Sequence, residues 1–460
     1  MIAGVGFAGA VLLAVAAYLG GAGYAGPFHP APVSIWRQPH GPATLLCWLF
    51  GVAAMAGAWW AGRRVPAGRR VYATAALWLL PFLAAPPLGS RDVYAYACQG
   101  AVYHAGHNPY AEGVAALPCP WVGSVSTIWR DTPAPYGPLF LMIAGAAVAI
   151  GGTLAATIAV LRAVALLGVL LAAVSLPALA RHANVAPERA GWLALACPLV
   201  GIHLIGGAHN DALMLGLLLA GLAVITLRPT GAGPAERAAV LLAGGVLLGL
   251  AASVKASAAV AVPFAALLAL RGGYSPRALL RDGGWVVGGA VATLLAVTGV
   301  SGLGFGWLRG LSSSGASVQW TAPSTAIGMT IDLFHPGFDA VPATRAVGLA
   351  LLVVVLALLW WRTRTRDALH ATGLALAATV ALAPVFHPWY ATWPLFVLAV
   401  CARRTAWFAV PCLVACFLDL PDGTSLALST RAQGAVAMTL LVGYLLVRAA
   451  RRRRRTAPTG

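Results

Sequence analysis

Long apolar runs alternate with short polar connections from one end of the chain to the other. The runs are about 17–25 residues long, which is the length an α-helix needs to cross a bilayer core. The alternation predicts an all-α, polytopic transmembrane protein with about 14 spans, forming one integral membrane domain over residues 1–460. The opening run, 1–23, lacks a basic segment and a clear cleavage site, so we expect a retained span.

Arginines fall in short clusters between the apolar runs, and the positive-inside rule predicts that such loops are cytoplasmic. These clusters lie at 63–70, 181–189, 228–237, 271–281, 362–366, 403–404 and 448–455. The remaining connections are then extracytoplasmic, at 24–42, 90–138, 206–211, around 255, 301–342, 386–390 and 419–424. Both termini are expected inside, with 448–460 as a basic cytoplasmic tail, and the protein is expected in the plasma membrane.

One segment breaks the alternation. Two apolar runs, 139–150 and 153–180, lie between the outer loop 90–138 and the next arginine cluster, where parity allows one crossing. The first run is short and follows three prolines, so we interpret the segment 139–152 as interfacial or re-entrant. The alternative is that the cluster at 181–189 faces outward, which would move Asp211 to the cytoplasmic side.

Composition supports a membrane protein and argues against nucleic-acid binding. The chain is 60% hydrophobic and 9% charged, whereas a soluble domain carries about a quarter charged residues. The net charge of +18 is spread over loop clusters, and no soluble domain presents a basic face.

The loop 90–138 is the longest polar segment, and long loops of this kind usually carry function. Ser90 is suited to cap a helix, and Asp92 in its first turn suits the helix dipole. Tyr96 follows Asp92 at helical spacing, on the same face. We predict Asp92 as a catalytic base in a cleft; the alternative is that it only caps a helix beside Arg91.

The end of this loop combines charge, aromatic rings and prolines. Arg130, Asp131 and Tyr136 lie within a run that contains three prolines, which stiffen the loop. Aromatics beside charged groups are typical of a sugar site, although a stiff return into the membrane would need the same prolines. Cys98 and Cys119 lie in the loop and are a possible disulfide, stabilising it by about 3 kcal/mol, or a coincidence.

Three further connections carry polar residues between apolar runs. Lys255 is the only lysine in the chain, which suggests a compact cation for a phosphate; the alternative is a snorkelling side chain. His209 and Asp211 lie in one connection, and His387 and Tyr390 lie in another. Acids near the membrane are candidates for function, although each connection could be a simple surface turn. Their convergence on one side of the membrane favours function.

The motifs in these loops together resemble a known family. They are SRDVYAYACQG (90–100), HNPY (107–110), IWRDTPAPYGPLF (128–140), GGAHNDALM (206–214), SVK (253–255) and APVFHPWY (383–390). The chain resembles the polyprenol-phosphomannose-dependent α-1,6-mannosyltransferases of actinobacterial envelopes. The resemblance implies a C-type glycosyltransferase architecture, with short interfacial helices in the outer loops. It also implies a polyprenyl-phosphate-mannose donor, a lipid-linked mannan acceptor and catalysis by Asp92.

We therefore expect an inverting hexosyltransferase that needs no metal and no cofactor. Asp92 would accept the acceptor's proton, with Arg91 orienting it and holding its pKa down. The departing phosphate would be stabilised by Lys255, Arg162 and Arg130. Sugar hydroxyls would be positioned by Tyr96, Asp131, Tyr136, His209, Asp211, His387 and Tyr390. The alternatives are a flippase for a lipid-linked sugar and a related lipid-sugar-dependent enzyme with another sugar specificity.

Overall fold

A computed structural model describes residues 1–23, 35–64, 68, 70–227, 233–271, 273–365 and 367–456. Parts of several predicted connections lie outside these residues. They belong to the outer loop 24–42, the arginine clusters at 63–70, 228–237, 271–281 and 362–366, and the end of the tail 448–460.

The described chain consists of helices joined by turns and loops. In chain order the α-helices are α1 Ile2–Gly20, α2 Gly41–Gly62, α3 Arg70–Ala84, α4 Asp92–His104, α5 Pro138–Gly151, α6 Leu154–His182, α7 Pro187–Leu195, α8 Asp211–Thr226, α9 Pro234–Val254, α10 Val262–Leu268, α11 Pro276–Ala278, α12 Gly284–Val300, α13 Trp307–Ser313, α14 Pro323–Phe334, α15 Ala340–Thr363, α16 Ala368–Leu382, α17 Thr392–Cys401, α18 Ala406–Ala415, α19 Leu426–Ser429 and α20 Arg431–Thr456. Short 3-10 or π segments are Val122–Ser124, Thr127–Trp129, Val200–Gly206, Ala256–Ala261, Leu279–Gly283, Ser314–Ala316 and Pro388–Ala391. Within the described ranges there is no strand, so the all-α prediction is confirmed there.

Among the residues that the structure describes, seven helices are long and apolar enough to cross a membrane, or eight if the bent pair of α7 and Val200–Gly206 counts as one span. The seven are Ile2–Gly20, Gly41–Gly62, Leu154–His182, Pro234–Val254, Pro276–Val300, Ala340–Thr363 and Arg431–Arg451. A polytopic membrane protein is thus confirmed, while the count of about 14 crossings stays a prediction.

Small residues let the helices around the centre of the bundle approach closely. Gly168 of α6 lies against the backbone of Ala212 at the start of α8, and Gly216 lies against Gly168 in return. A side chain at either glycine would meet backbone atoms. Close backbone packing of this kind replaces the hydrophobic effect as the source of helix association in a membrane. It fixes the start of α8, which carries Asp211.

The helix α5 is 14 residues long, or about 21 Å at the α-helical rise. This is shorter than a bilayer core of about 30 Å. It turns into α6 at Gly152, whose φ of +66° favours glycine. The interpretation of 139–152 as a segment that does not span by itself agrees with this length.

Candidate active site

Asp92 opens α4 and lies in a buried pocket. Its side chain is 11% exposed, and its amide donates to Ser90 Oγ at 3.1 Å. A cavity of about 120 Å³ lies in front of it. We call this the polar cavity; its lining includes Ser90, Arg91, Asp92, Trp129, Ser317, Gln319, His387, Trp389 and Asp419.

Two histidines from distant loops meet beside Asp92. His209 Nδ1 lies 3.9 Å from Asp92 Oδ2 and 3.2 Å from the hydroxyl of Tyr96. The rings of His209 and His387 both stack on Trp389, with centroids 3.9 and 4.7 Å away. The structure thus brings together three chain segments that the sequence only suggested would converge.

Tyr136 completes the wall behind Asp92. Its ring contacts Tyr96 edge to face, with centroids 5.0 Å apart, and its carbonyl accepts from the hydroxyl of Tyr110 at 2.7 Å. Both Tyr96 and Tyr136 are buried, so these rings seal the inner side of the pocket.

Lys255 and Asp211 form a buried ion pair under this cluster. Lys255 Nζ donates to both carboxylate oxygens of Asp211 at 2.9 Å, and Trp393 Nε1 donates to Oδ1 at 2.6 Å. The ammonium also lies 4.7 Å from the ring centroid of Tyr390, a favourable cation–π distance. Because Asp211 follows His209 so closely, it lies on the same face of the helix bundle as Asp92. The side of the membrane that the arginine cluster at 181–189 faces stays a prediction.

Burial controls the titration of the pocket. Desolvation raises the pKa of Asp92 to about 6, against the lowering effects of Lys255 and of hydrogen bonds from Trp129 and Ser90. Desolvation also holds the pKa of His209 well below its usual value, so the imidazole beside Asp92 stays neutral. A carboxylate with a pKa near neutrality is suited to act as a general base.

The expectation that Arg91 holds this pKa down is wrong. The guanidinium of Arg91 donates to the carbonyls of Asp422, Ser124 and Gly23, at 3.3, 3.2 and 3.5 Å. These bonds direct the guanidinium of Arg91 toward the loops that flank α4. Burial raises the pKa of Asp92 by more than the positive charge of Lys255 lowers it. Arg91 nevertheless lines the polar cavity.

The guanidinium groups of two predicted phosphate ligands donate hydrogen bonds to backbone carbonyls instead. Arg162 donates to four carbonyl oxygens, those of Leu83, Ala85, Ile205 and Gly206. Arg130 donates to the carbonyls of Val125 and Gly123. A guanidinium satisfies loop carbonyls well because its donors are fixed in a planar fork. Both side chains therefore hold loops in place around the pocket, and neither lines the polar cavity.

Asp131 is also placed differently from the expectation. Its side chain is exposed on the outer loop and does not line the polar cavity. Earlier in the same loop, Cys98 and Cys119 form a disulfide with Cα atoms 5.3 Å apart. That bond ties the middle of α4 to the loop that covers it.

Several residues of the site escaped the sequence analysis. Trp389 and Trp393 lie on either side of Tyr390, where the sequence pattern singled out only His387 and Tyr390. Ser317 and Gln319 come from a polar tract in the outer loop 301–342, and Asp419 comes from a short connection. An acid in an outer connection was a usable signal for Asp419. The polar tract 312–321 was likewise a usable signal for Ser317 and Gln319.

A second, apolar cavity of about 520 Å³ is lined in part by sequence neighbours of residues that line the polar cavity. We call it the apolar groove; its lining includes Trp320, Ala377, Ala381, Phe386, Pro394, Trp407, Val410, Pro411, Val414, Leu418, Met438 and Leu441. In three pairs of sequence neighbours, one residue lines the polar cavity and the other lines the apolar groove. Gln319, His387 and Asp419 line the polar cavity, and their neighbours Trp320, Phe386 and Leu418 line the groove. The outer rim of the groove is open, since Trp407 and Val414 are 46% and 56% exposed.

A metal centre has no obvious ligands in the part of the chain that the structure describes. No group of three or more His, Cys, Asp or Glu side chains is arranged there to hold an ion.

Comparisons with known proteins place the chain among mannosyltransferases. The N-terminal domain of the alpha-(1->6)-mannopyranosyltransferase family matches residues 3–271, and the MptB C-terminal domain matches residues 321–448. The chain is 36% identical over 424 residues to alpha-(1->6)-mannopyranosyltransferase A of Mycobacterium tuberculosis. This match covers 86% of this chain and 80% of that protein.

Two relatives from Corynebacterium glutamicum extend this similarity. The chain is 32% identical over 340 residues to alpha-(1->6)-mannopyranosyltransferase A, covering 68% of this chain and 67% of the relative. It is 32% identical over 414 residues to alpha-(1->6)-mannopyranosyltransferase B, covering 81% and 67%. No solved structure matches the chain.

Proposed function

Because the chain belongs to the alpha-(1->6)-mannopyranosyltransferase family, we propose that it transfers mannose from polyprenyl-phosphate mannose to a lipid-linked mannan, forming an α-1,6 linkage. The reaction takes place in the polar cavity, at the extracytoplasmic face of the plasma membrane, with Asp92 as the base. The observation that carries this proposal is the position of Asp92, a buried carboxylate in a polar cavity whose lining residues have sequence neighbours that line a partly exposed apolar groove.

The apolar groove supports a lipid donor rather than a soluble sugar nucleotide. A polyprenyl phosphate has an apolar tail and an anionic head, and the groove and the polar cavity offer matching environments side by side. Its exposed rim, at Trp407 and Val414, allows the tail to enter from the bilayer. Arg91, which lines the polar cavity, supplies positive charge for the phosphate.

The chemistry follows from one base and one leaving group. Asp92 accepts the proton of an acceptor hydroxyl, the hydroxyl oxygen bonds to the anomeric carbon, and the bond from that carbon to the phosphate oxygen breaks. A single displacement inverts the anomeric centre. Neutral His209, held by Tyr96, limits the directions that the Asp92 carboxylate can adopt. The Lys255–Asp211 pair forms the floor of the site.

The C-type architecture with about 14 crossings is part of the same proposal. Beyond the seven long helices and the bent pair, six shorter apolar helices besides α5 are present among the described residues. Helices of 10–17 residues, bent or broken near the site, can complete crossings where other helices shield their ends. This arrangement would place the loops of Asp92, His209, Lys255 and His387 on the outer side.

The rate of transfer is expected to fall as the pH decreases through about 6. The pKa of Asp92 is raised to about 6 by burial, and the base works only when it is ionised. Steady-state kcat/KM measured between pH 4.5 and 8 should therefore show an acidic limb near pH 6. A profile that stays flat down to pH 4.5 would mean that the working base is a solvated carboxylate elsewhere.

Filling the apolar groove is expected to impair long-chain donors selectively. In Ala381→Trp, the indole would occupy the groove between α16 and α18, so the KM for a long polyprenyl donor should rise about tenfold, equivalent to about 1.4 kcal/mol. A donor with a two-isoprene chain should be little affected. The matched control is Ala357→Trp, on the exposed side of α15. An equal effect of Ala381→Trp on both donors would contradict the assignment of the groove.

The proposed function as a whole is tested with purified protein, mannosyl-phosphate polyprenol and a short α-mannoside acceptor. We expect an elongated mannoside whose new linkage is α-1,6. Transfer from a sugar nucleotide but not from the lipid donor would overturn the proposal.

A further inference from the structure

Asp419 is a second buried acid in the polar cavity. Its residue exposure is 6%, and it lines the same cavity as Asp92. It lies in the connection between α18 and α19, more than 300 positions from Asp92 in sequence. The reaction described above gives it no role.

The turn that carries Asp419 is fixed against the start of α4. Asp419 pairs with Ser425 in an antiparallel bridge, and the amide of Leu420 donates to the carbonyl of Thr424 at 2.9 Å. Gly423 closes the turn with a φ of +88°, where a side chain would be strained. The amide of Gly89 donates to the carbonyl of Pro421 at 3.0 Å, so Asp419 is held rigidly beside Asp92.

Asp419 also marks the junction of the two cavities. Its neighbour Leu418 lines the apolar groove, while Asp419 lines the polar cavity. In the same polar cavity, the hydroxyl of Ser317 is buried and has no hydrogen-bond partner. A buried polar group without a partner is costly, and one that lines a cavity indicates a ligand with polar atoms at that place.

We propose that Asp419, in its neutral form, donates a hydrogen bond to a phosphate oxygen of the lipid donor where the head group passes from the apolar groove into the polar cavity. This inference rests on the proposed function and names a donor-binding residue for it. Only a hydrogen bond is made; the proton stays on Asp419.

Electrostatics explain why the neutral form is the useful one. Two carboxylates in one desolvated cavity do not ionise together easily. Burial raises the pKa of Asp419 well above its usual value, against a hydrogen bond from Ser425 that lowers it, and the charges of Asp92 and Asp422 raise it further. The other titratable groups lining the cavity are Arg91 and His387. An ionised Asp419 would repel the phosphate, whereas the neutral acid can donate to it.

The test compares two replacements of Asp419. Asp419→Asn keeps a neutral donor, so the KM for the lipid donor should stay within about threefold of the wild-type value. Asp419→Leu removes the donor and should raise that KM about 10- to 100-fold, while the KM for the mannoside acceptor stays unchanged. Equal losses in both variants, or a rise in acceptor KM alone, would overturn the proposal.

A binding measurement separates this inference from the proposed function. Affinity for polyprenyl phosphate alone, measured in detergent, should decrease at alkaline pH in the wild type and in Asp422→Asn, the matched variant from the same turn. In Asp419→Asn the alkaline decrease should disappear, because Asp92, the other carboxyl of the cavity, is already ionised above about pH 6. Persistence of the decrease in Asp419→Asn would overturn the inference even if the enzyme transfers mannose. Absence of mannose transfer in the wild type, with this binding pattern intact, would instead overturn the proposed function.

Discussion

Asp92→Asn is expected to lower the rate of mannose transfer by about 10²- to 10⁴-fold, the usual contribution of a general base. The amide has nearly the same shape as the carboxylate, so it should leave the pocket around His209 and Tyr96 intact. It cannot accept a proton from the acceptor hydroxyl. The measurement is kcat with saturating lipid donor and mannoside acceptor.

The matched control is Glu112→Gln, an acid-to-amide change at an exposed position of the same outer loop. It should leave kcat unchanged, because its side chain does not line the polar cavity. The donor KM of Asp92→Asn should also stay close to that of the wild type, since the base acts on the acceptor. A rate for Asp92→Asn within a few-fold of the wild-type rate would show that another group takes the proton.

Lys255→Ala is expected to destabilise the protein by about 3–5 kcal/mol, the typical effect of breaking a buried ion pair. Asp211 is fully buried, and Lys255 donates to both of its oxygens. Without the ammonium, an uncompensated carboxylate would remain in an apolar surrounding. The measurement is the midpoint of thermal unfolding in detergent, which should fall clearly.

The double variant Lys255→Met, Asp211→Asn removes both charges and should recover most of the lost stability. Arg277→Ala, which removes a cation from an exposed position, should change stability by no more than about 0.5 kcal/mol. If Lys255→Ala kept its unfolding midpoint and raised only the donor KM, the lysine would bind phosphate as the sequence analysis expected.

The sequence was informative where polar residues interrupt apolar runs. Asp92, His209, Lys255 and His387 each lie in such an interruption, and the structure brings their loops together. In a membrane protein, buried polar side chains need hydrogen bonds to one another or to water, so polar residues of different loops tend to lie together. The existence of a polar cluster was therefore predictable from the positions of the loops.

The partners within the cluster were not predictable. Every arginine near the loops was a candidate phosphate ligand by charge alone, yet Arg162 and Arg130 are held by backbone carbonyls. Backbone carbonyls leave no signature in the sequence, since they belong to residues of any type. The burial of a side chain is also not visible in the local sequence. The pKa of Asp92 is raised by burial, and its sequence neighbour Arg91 does not hold it down.

The contribution of distant segments was also hidden. Asp419 lies in a seven-residue turn whose folding against Gly89 depends on backbone hydrogen bonds. The apolar groove is built from α16, α17, α18 and α20, the start of α14, and the connections that carry Trp320, Phe386 and Leu418. Its lining consists of ordinary apolar residues that the sequence cannot distinguish from those facing lipid.

A structure of the protein with a non-transferable polyprenyl-phosphate mannose analogue and a short mannoside would show directly whether Asp92 is the base. We expect the acceptor hydroxyl oxygen about 2.6–3.2 Å from the Asp92 carboxylate, with the prenyl chain in the apolar groove. An acceptor hydroxyl bound to a different acid, with Asp92 out of reach, would contradict the account.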